Sequence, residues 1–308
     1  MAEAAAMLPR GVKVFERGWL SSNNILIVDD DSAALVDSGY STHSAQTIDL
    51  VRGTLGARPL DVLANTHLHS DHCGGNAALQ QAYPGLRTLV PPGLSEHVRH
   101  WDPVELTYAP TGQECPRFGF DALLDPGTRV ELGGLAWEVL AAPGHDPNSV
   151  ILFEPEGRTL LSADALWQNG FGVVFQELEG DDAFHEVAAT LDLIETLRPA
   201  VVVPGHGSVF TDVEAALARA RSRLAAYEAD PERHAAHAAK VLLKFKLLEL
   251  QKSGLAALLD WAQGTAYFGL LHARWFADVP PAIWLDGLVQ SLVEGQAARR
   301  VGDDILNC

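Results

Sequence analysis

A chain of 308 residues, 47% hydrophobic and 20% charged, is long enough for one large or two ordinary domains with a buried core. Its formal net charge of -18 disfavours tight non-specific binding to nucleic acid or to anionic membrane. No apolar run approaches the roughly 20 residues that span a bilayer, and three widely spaced cysteines (Cys73, Cys115 and Cys308) argue against a disulfide framework and for a reducing cytoplasm.

Residues 1–9 are Ala-rich and lack the basic region and long apolar core of a signal peptide, so they read as a disordered start. Residues 12–17, 24–29 and 33–37 read as strands, the last two joined by a hairpin turn at Asp29-Asp30-Asp31. Residues 43–55 read as a helix capped by Ser41 or Thr42. The apolar run 61–65 reads as a strand and leads straight into Thr66-His67-Leu68-His69-Ser70-Asp71-His72-Cys73-Gly74-Gly75. Its histidines and carboxylate are the ligand types that hold zinc, iron or manganese. His67 and His69 point the same way on extended backbone. Asp71 and His72 reach a second position only if the chain turns. Gly74 and Gly75 are expected to allow that turn, before a helix over residues 76–83. Cys73 reads as a small buried residue. A strand over 87–90 precedes a long irregular stretch, 101–120, broken by prolines and glycines, which is either a lid or a plain surface excursion.

Residues 135–142, 150–154 and 159–161 read as strands, 182–197 as a helix and 200–203 as a further strand. Three metal-type residues stand just past strand ends, where α/β sheets place their chemistry: His145 after Pro143-Gly144, Asp164 after Ser162-Ala163, and His206 within Pro204-Gly205-His206-Gly207. Two successive runs of strands, helix and strand predict an α/β sandwich of two mixed sheets with helices outside. After Asp230-Pro231 the pattern becomes helical over 234–251, 255–262 and 281–294, then forms a small hairpin turning at Gly302-Asp303. The expected division is a catalytic domain over residues 1–229 and a helical, winged-helix-like region over 230–308. Lys240, Lys244, Lys246 and Lys252 make a basic stripe, but Glu249, Asp260, Asp278, Asp286 and Glu294 are scattered through the same region. That favours a lid or a dimer surface over nucleic-acid binding.

The pattern HxHxDH, with the downstream ligands in this order, resembles the metallo-β-lactamase superfamily over roughly residues 12–229. The resemblance implies an αβ/βα sandwich and two divalent metal ions, zinc in the first place, with iron or manganese as alternatives. It assigns His67, His69 and His145 to one metal and Asp71, His72 and His206 to the other, with Asp164 bridging them. An aspartate at that bridging position belongs to the thioesterase, phosphodiesterase and lactonase branches and speaks against β-lactamase chemistry. Asp71 is the expected catalytic group as well as a ligand. Asp37, Thr66 and Ser162 are candidates to support the ligand histidines, and Trp101, Tyr108, Trp167, Asn169 and Phe171 to line the substrate pocket.

The expected function is a binuclear metal-dependent hydrolase in which a bridging hydroxide attacks a small ester-like substrate, a thioester in the manner of glyoxalase II or a lactone. The alternatives are a phosphodiesterase or nuclease of the same superfamily and a di-iron redox protein. No basic cluster suited to a glutathione carboxylate or a CoA phosphate stands near the motifs. A small-molecule substrate, no membrane, a cytoplasmic location and a homodimer complete the expectation.

Overall fold

The computed structural model describes Ala4 and residues 7–308. The expectation of a disordered start over residues 1–9 falls largely outside them. The chain divides into two compact units, Met1–Leu106 with Glu114–Ala225, and Thr107–Gln113 with Ala226–Cys308.

The first unit holds two sheets. One has six strands in sequential order: β1 (Val12–Phe15), β2 (Asn24–Val28), β3 (Ala33–Val36), β4 (Val62–Ala64), β5 (Arg87–Val90) and β6 (Ala122–Leu123). The other has five: β7 (Arg129–Leu132), β8 (Leu135–Ala141), β9 (Val150–Glu154), β10 (Thr159–Ala163) and β11 (Val201–Pro204). β3, β4, β5 and β6 run parallel, as do β10 and β11, and the other pairs are antiparallel. The expected hairpin turn between β2 and β3 is closed by Asp29, whose carboxylate accepts from the backbone N–H groups of Asp31 and Ser32.

Both faces of β2 and β3 are buried, so these strands read as near-continuous apolar runs. Side chains alternate along β2 and β3. Ile25, Ile27, Ala34 and Val36 pack with Trp137, Val139, Val150 and Leu152 of the second sheet to form the inter-sheet core. Leu26 and Leu35 point the other way, with Leu63, onto Val51, Leu55 and Leu79 of the flanking helices α1 (Ser44–Leu55) and α3 (Asn76–Ala82). Between β4 and α3 lies one short helical turn, α2 (Ser70–Cys73).

The second unit carries the helices Pro231–Leu250, Leu255–Gly264, Ala266–Trp275 and Pro281–Glu294. Its hairpin, Ala298–Val301 with Asp304–Asn307, turns at Gly302-Asp303 as expected and gains a third strand, Lys252–Gly254. The helix Ala266–Trp275, that third strand and the helix Val213–Ala229 were not legible in the sequence. Two of the four lysines of the basic stripe are neutralised from within, and a third is held by backbone carbonyls. Lys246 pairs with Glu249 at 2.8 Å, Lys252 with Asp304 at 2.7 Å, and Lys244 donates to the carbonyls of Ala297 and Cys308.

Candidate metal centre

Every candidate ligand stands on a loop that leaves the C-terminal end of a strand. β4 delivers His67 and His69, β8 His145, β10 Asp164 and β11 His206, while α2 delivers Asp71 and His72. The turn at Asp71-His72 is helical and comes earlier than expected. It does not depend on glycine freedom, because Gly74 has φ -61° and Gly75 φ -83°. Glycine is required there by close approach. A Cβ on Gly74 would lie 2.5 Å from the Ser70 carbonyl oxygen and 2.6 Å from the Ser41 nitrogen, and one on Gly75 2.5 Å from the Ser38 oxygen.

The chain closes the centre by long-range backbone bonds. Val150 N–H donates to the Thr66 carbonyl and so links the two sheets at the site. Ser38 N–H donates to the His72 carbonyl, and Ser22 N–H to that of Asp71. Asn23 holds the His206 loop by donating from its side chain to the carbonyls of Pro204 (2.9 Å) and Gly207 (2.7 Å). Ala163, just before Asp164, adopts a left-handed φ of 46° at an irregularity in the β10–β11 ladder. For a residue with a Cβ that conformation costs about 1–2 kcal/mol, and it turns the next side chain into the site.

The ligand-type atoms fall into two groups, each with its atoms within 4.8 Å of one another: His67, His69 and His145, and Asp71, His72, Asp164 and His206. All seven sequence candidates are therefore brought together. The carboxylate of Asp164 lies between the groups. Its Oδ1 is 3.5 Å from His72 Nε2, and its Oδ2 is 3.5 Å from His145 Nε2 and 3.8 Å from His206 Nε2. Asp71 Oδ2 lies 3.0 Å from His206 Nε2 and 3.8 Å from His72 Nε2.

The outward ring nitrogens of His72, His145 and His67 are tied to protein acceptors, which leaves Nε2 of His145 and of His67 to present lone pairs inward. His72 Nδ1 donates to Asp37 Oδ2 at 2.7 Å. His145 Nδ1 donates to the Val173 carbonyl. Thr66 Oγ1 donates to Asp37 Oδ2 at 2.8 Å and accepts from His67 Nδ1 at 3.1 Å. His69 Nε2 faces Asp146 Oδ2 at 3.6 Å. Asp37 and Thr66 thus play the expected supporting parts. Ser162 does not: its hydroxyl donates to the Leu166 carbonyl and steadies the turn after Asp164.

These inward atoms fit a cation. His69 Nδ1 and His145 Nε2 are only 2.9 Å apart, and with Nδ1 of His145 donating to Val173 its Nε2 presents a lone pair there. His67 Nε2 is buried with no hydrogen-bond partner, a costly arrangement that a metal ion relieves. The electrostatics agree. Burial lowers the imidazolium pKa of His69 and of His145 to about 4 and holds that of His67 well below its ordinary value, so the three rings are neutral donors at neutral pH. Burial also opposes charge on the second group. There it is outweighed: His206 and His72 hold Asp164 well below the usual carboxylate range, and His72 and His206 lower Asp71. The carboxylates of Asp164, Asp37 and Asp71 in turn hold His72 in its charged form against burial. A divalent cation supplies the same neutralisation.

Of the expected pocket residues, Trp167 borders the centre, edge-on to His206 at 5.5 Å, and donates to Asp164 Oδ1 at 3.1 Å. Phe171 is buried, and Trp101 packs edge-on against Phe118. Trp19, Asp146, Asn23 and Phe175 escaped the sequence reading. Trp19 stacks on His206 at 5.3 Å while 56% exposed, and Phe175 stands edge-on to His69 at 5.5 Å. Gly172 and Gly205 belong to the same arrangement. A Cβ on Gly172 would lie 2.3 Å from His145 Nδ1, and one on Gly205 2.1 Å from Asp164 Oδ1.

A two-sheet sandwich that gathers these donors at one edge defines a metal-dependent hydrolase of the α/β class. Residues 17–206 match the metallo-beta-lactamase superfamily, and the chain belongs to that superfamily. It is 32% identical over 225 residues to the hydroxyacylglutathione hydrolase of Anaeromyxobacter dehalogenans strain 2CP-C, spanning 70% of this chain and 76% of that protein. It is 32% identical over 152 residues to the same-named enzyme of Stenotrophomonas maltophilia strain R551-3, where the match spans about half of each, 49% and 48%. A crystal structure of a metallo-beta-lactamase family protein from Thermus thermophilus shares the fold with a TM-score of 0.58 at 19% identity, over 97% of this chain and 99% of that one. Among the described residues no helix is long and apolar enough to cross a membrane.

Proposed function

We propose that the chain is a binuclear hydrolase of small ester-like substrates, a thioester in the first place and a lactone as the nearest alternative. The supporting observation is the position of Asp164, whose Oδ1 faces His72 of one donor group while its Oδ2 lies between His145 of the other and His206. The hydroxyacylglutathione hydrolase relatives favour a thioester within that class. In this reading His67, His69 and His145 would hold one metal and Asp71, His72 and His206 the other, with Asp164 as a donor available to both. Zinc suits these nitrogen and oxygen donors, as do iron and manganese. Residues 1–229 form the catalytic domain and 230–308 a separate helical region.

When bound, the two metals supply a nucleophile at neutral pH and polarise the carbonyl under attack. The protein's part is placement. Asp37 fixes the tautomer of His72, Val173 that of His145 and Thr66 that of His67. Asp71, partly exposed at the mouth of the second group, is placed to take a proton from the attacking water. Trp19, Trp167 and Phe175 give the mouth an aromatic wall that suits an acyl chain.

The test is turnover by the metal-replete protein on parallel panels of acyl thioesters, lactones and an activated phosphodiester, with Asp71→Ala as the blank. Turnover confined to thioesters or lactones is expected. Turnover of the phosphodiester alone would overturn the carbonyl assignment.

A further inference from the structure

Cys73 closes the helical turn that carries Asp71 and His72, and it is fully buried. Its thiol lies 3.3 Å from the His69 carbonyl and 3.4 Å from the Leu68 carbonyl, within the ligand segment itself. Cys115, 42 residues further along the chain and partly exposed, places its sulfur 3.9 Å from that of Cys73. A disulfide needs the sulfurs at about 2.05 Å. They must therefore approach by roughly 2 Å, a movement open to Cys115 because residues 113–120 hold no helix or strand. Two cysteines set this close in a reduced protein, one reachable and one beneath it, have the arrangement of an attacking and a resolving thiol.

We propose that Cys73 and Cys115 form a reversible disulfide site that loosens the metal-holding turn when oxidised. A hydroperoxide is the oxidant class. The Cys115 thiol attacks one peroxide oxygen, the O–O bond breaks, and Cys115 becomes a sulfenic acid with release of water. The Cys73 sulfur then displaces the sulfenic oxygen as a second water. Two thiols lose two hydrogens and two electrons, and one molecule of hydrogen peroxide is reduced to two of water. Oxidation removes the S–H that faces the Leu68 and His69 carbonyls and draws the end of the turn, one residue past His72, toward Cys115. Thiol reduction restores it. Formation of the bond is independent of the hydrolase reading, whereas its effect on the metal rests on the ligand assignment above.

The experiment treats the metal-loaded full chain with dilute hydrogen peroxide and follows thiols, peptides and metal together. Thiols titrated after denaturation should fall from three to one. Peptide mapping should show Cys73 and Cys115 joined. Metal affinity should fall about tenfold, the scale on which groups that orient ligands act, and dithiothreitol should restore it. Cys115→Ser should keep its metal in peroxide. Survival of all three thiols, linkage through Cys308 instead, an unchanged metal affinity in the joined form, or equal metal loss by Cys115→Ser would each overturn the proposal. A reduced protein that holds no metal at all would sink the ligand assignment, while the thiol count and peptide map would still decide the disulfide.

Discussion

The two donor groups of the centre sit side by side and differ in kind. His67, His69 and His145 are neutral at neutral pH because burial outweighs the carboxylates nearby, and no carboxylate belongs to their group. The other group carries Asp71 and Asp164 beside His72 and His206, and its carboxylates are strong enough to keep His72 protonated despite burial. Preorganisation in the first comes from ring nitrogens tied to backbone and hydroxyl partners, and in the second from charge. The lesson is that one superfamily motif builds two unlike donor groups only a carboxylate apart, so on the proposed ligand assignment their occupancies should respond differently to substitution.

Removing the group they share should do the most damage. Asp164→Ala is expected to lower the content of both metals and to cut activity by more than the roughly 10- to 100-fold typical of losing an outer partner. Elemental analysis beside kinetics checks it, and retention of two metals with full activity would remove Asp164 from the centre. A step smaller, His67→Ala and His206→Ala should each deplete one metal of two while the fold persists. Unchanged stoichiometry in either variant would strike that histidine from the ligand set. If the two variants lost the metals jointly, the distinction between the groups would collapse.

Asp37→Asn sharpens the comparison further, because it keeps the shape of the side chain and removes its charge. Asp37 accepts from His72 Nδ1, from Thr66 N and from Thr66 Oγ1. It therefore serves both groups, but only in the second does it contribute charge directly to a ligand. Metal affinity at the Asp71, His72 and His206 position should fall about 10- to 100-fold, with the other position much less affected. Calorimetric titration of the apo variant would resolve the two events, and equal weakening of both would show that Asp37 acts through the Thr66 backbone instead.

Much of this candidate centre was legible in the sequence because its ligand-type residues sit in short local patterns that follow apolar strands, and strand ends are where such patterns come to bear. The seven candidates follow from those patterns together with the superfamily resemblance, which also implied the two-sheet sandwich. What was hidden depends on closure of the chain upon itself. Asn23 reaches the Pro204 carbonyl across 181 positions, and nothing about a single asparagine between two strands announces it. Trp19 is an exposed tryptophan whose meaning comes only from His206 beneath it. Gly74 and Gly75 were read correctly as a requirement and wrongly as to cause, since turn freedom and close approach look alike in sequence. Helix Ala266–Trp275 was missed for a local reason: it follows Leu255–Gly264 with a break of one residue, so two helices share one apolar run.

The C-terminal unit supplies a contrast to both donor groups and the gentlest expected effect. His234, 1% exposed and tilted against the Tyr227 ring at 4.7 Å, is another buried histidine, with its pKa pushed down to about 3 by burial and by His237. No carboxylate figures among the causes of its shift, so burial stands unopposed there as it does not at His72. Between about pH 6.5 and pH 3 the unfolded chain binds a proton at His234 that the folded chain refuses. Stability from this residue therefore rises with pH across that window and is lost on acidification, by up to about 2 kcal/mol at pH 5. His69 and His145 push the metal-free protein the same way, so the informative quantity is a difference between proteins. His234→Leu should unfold at a similar temperature to wild type at pH 8 and at a clearly higher one at pH 5. Parallel melting temperatures for the two proteins across that range would mean that His234 takes up its proton in the folded state, and the contrast with His72 would fail.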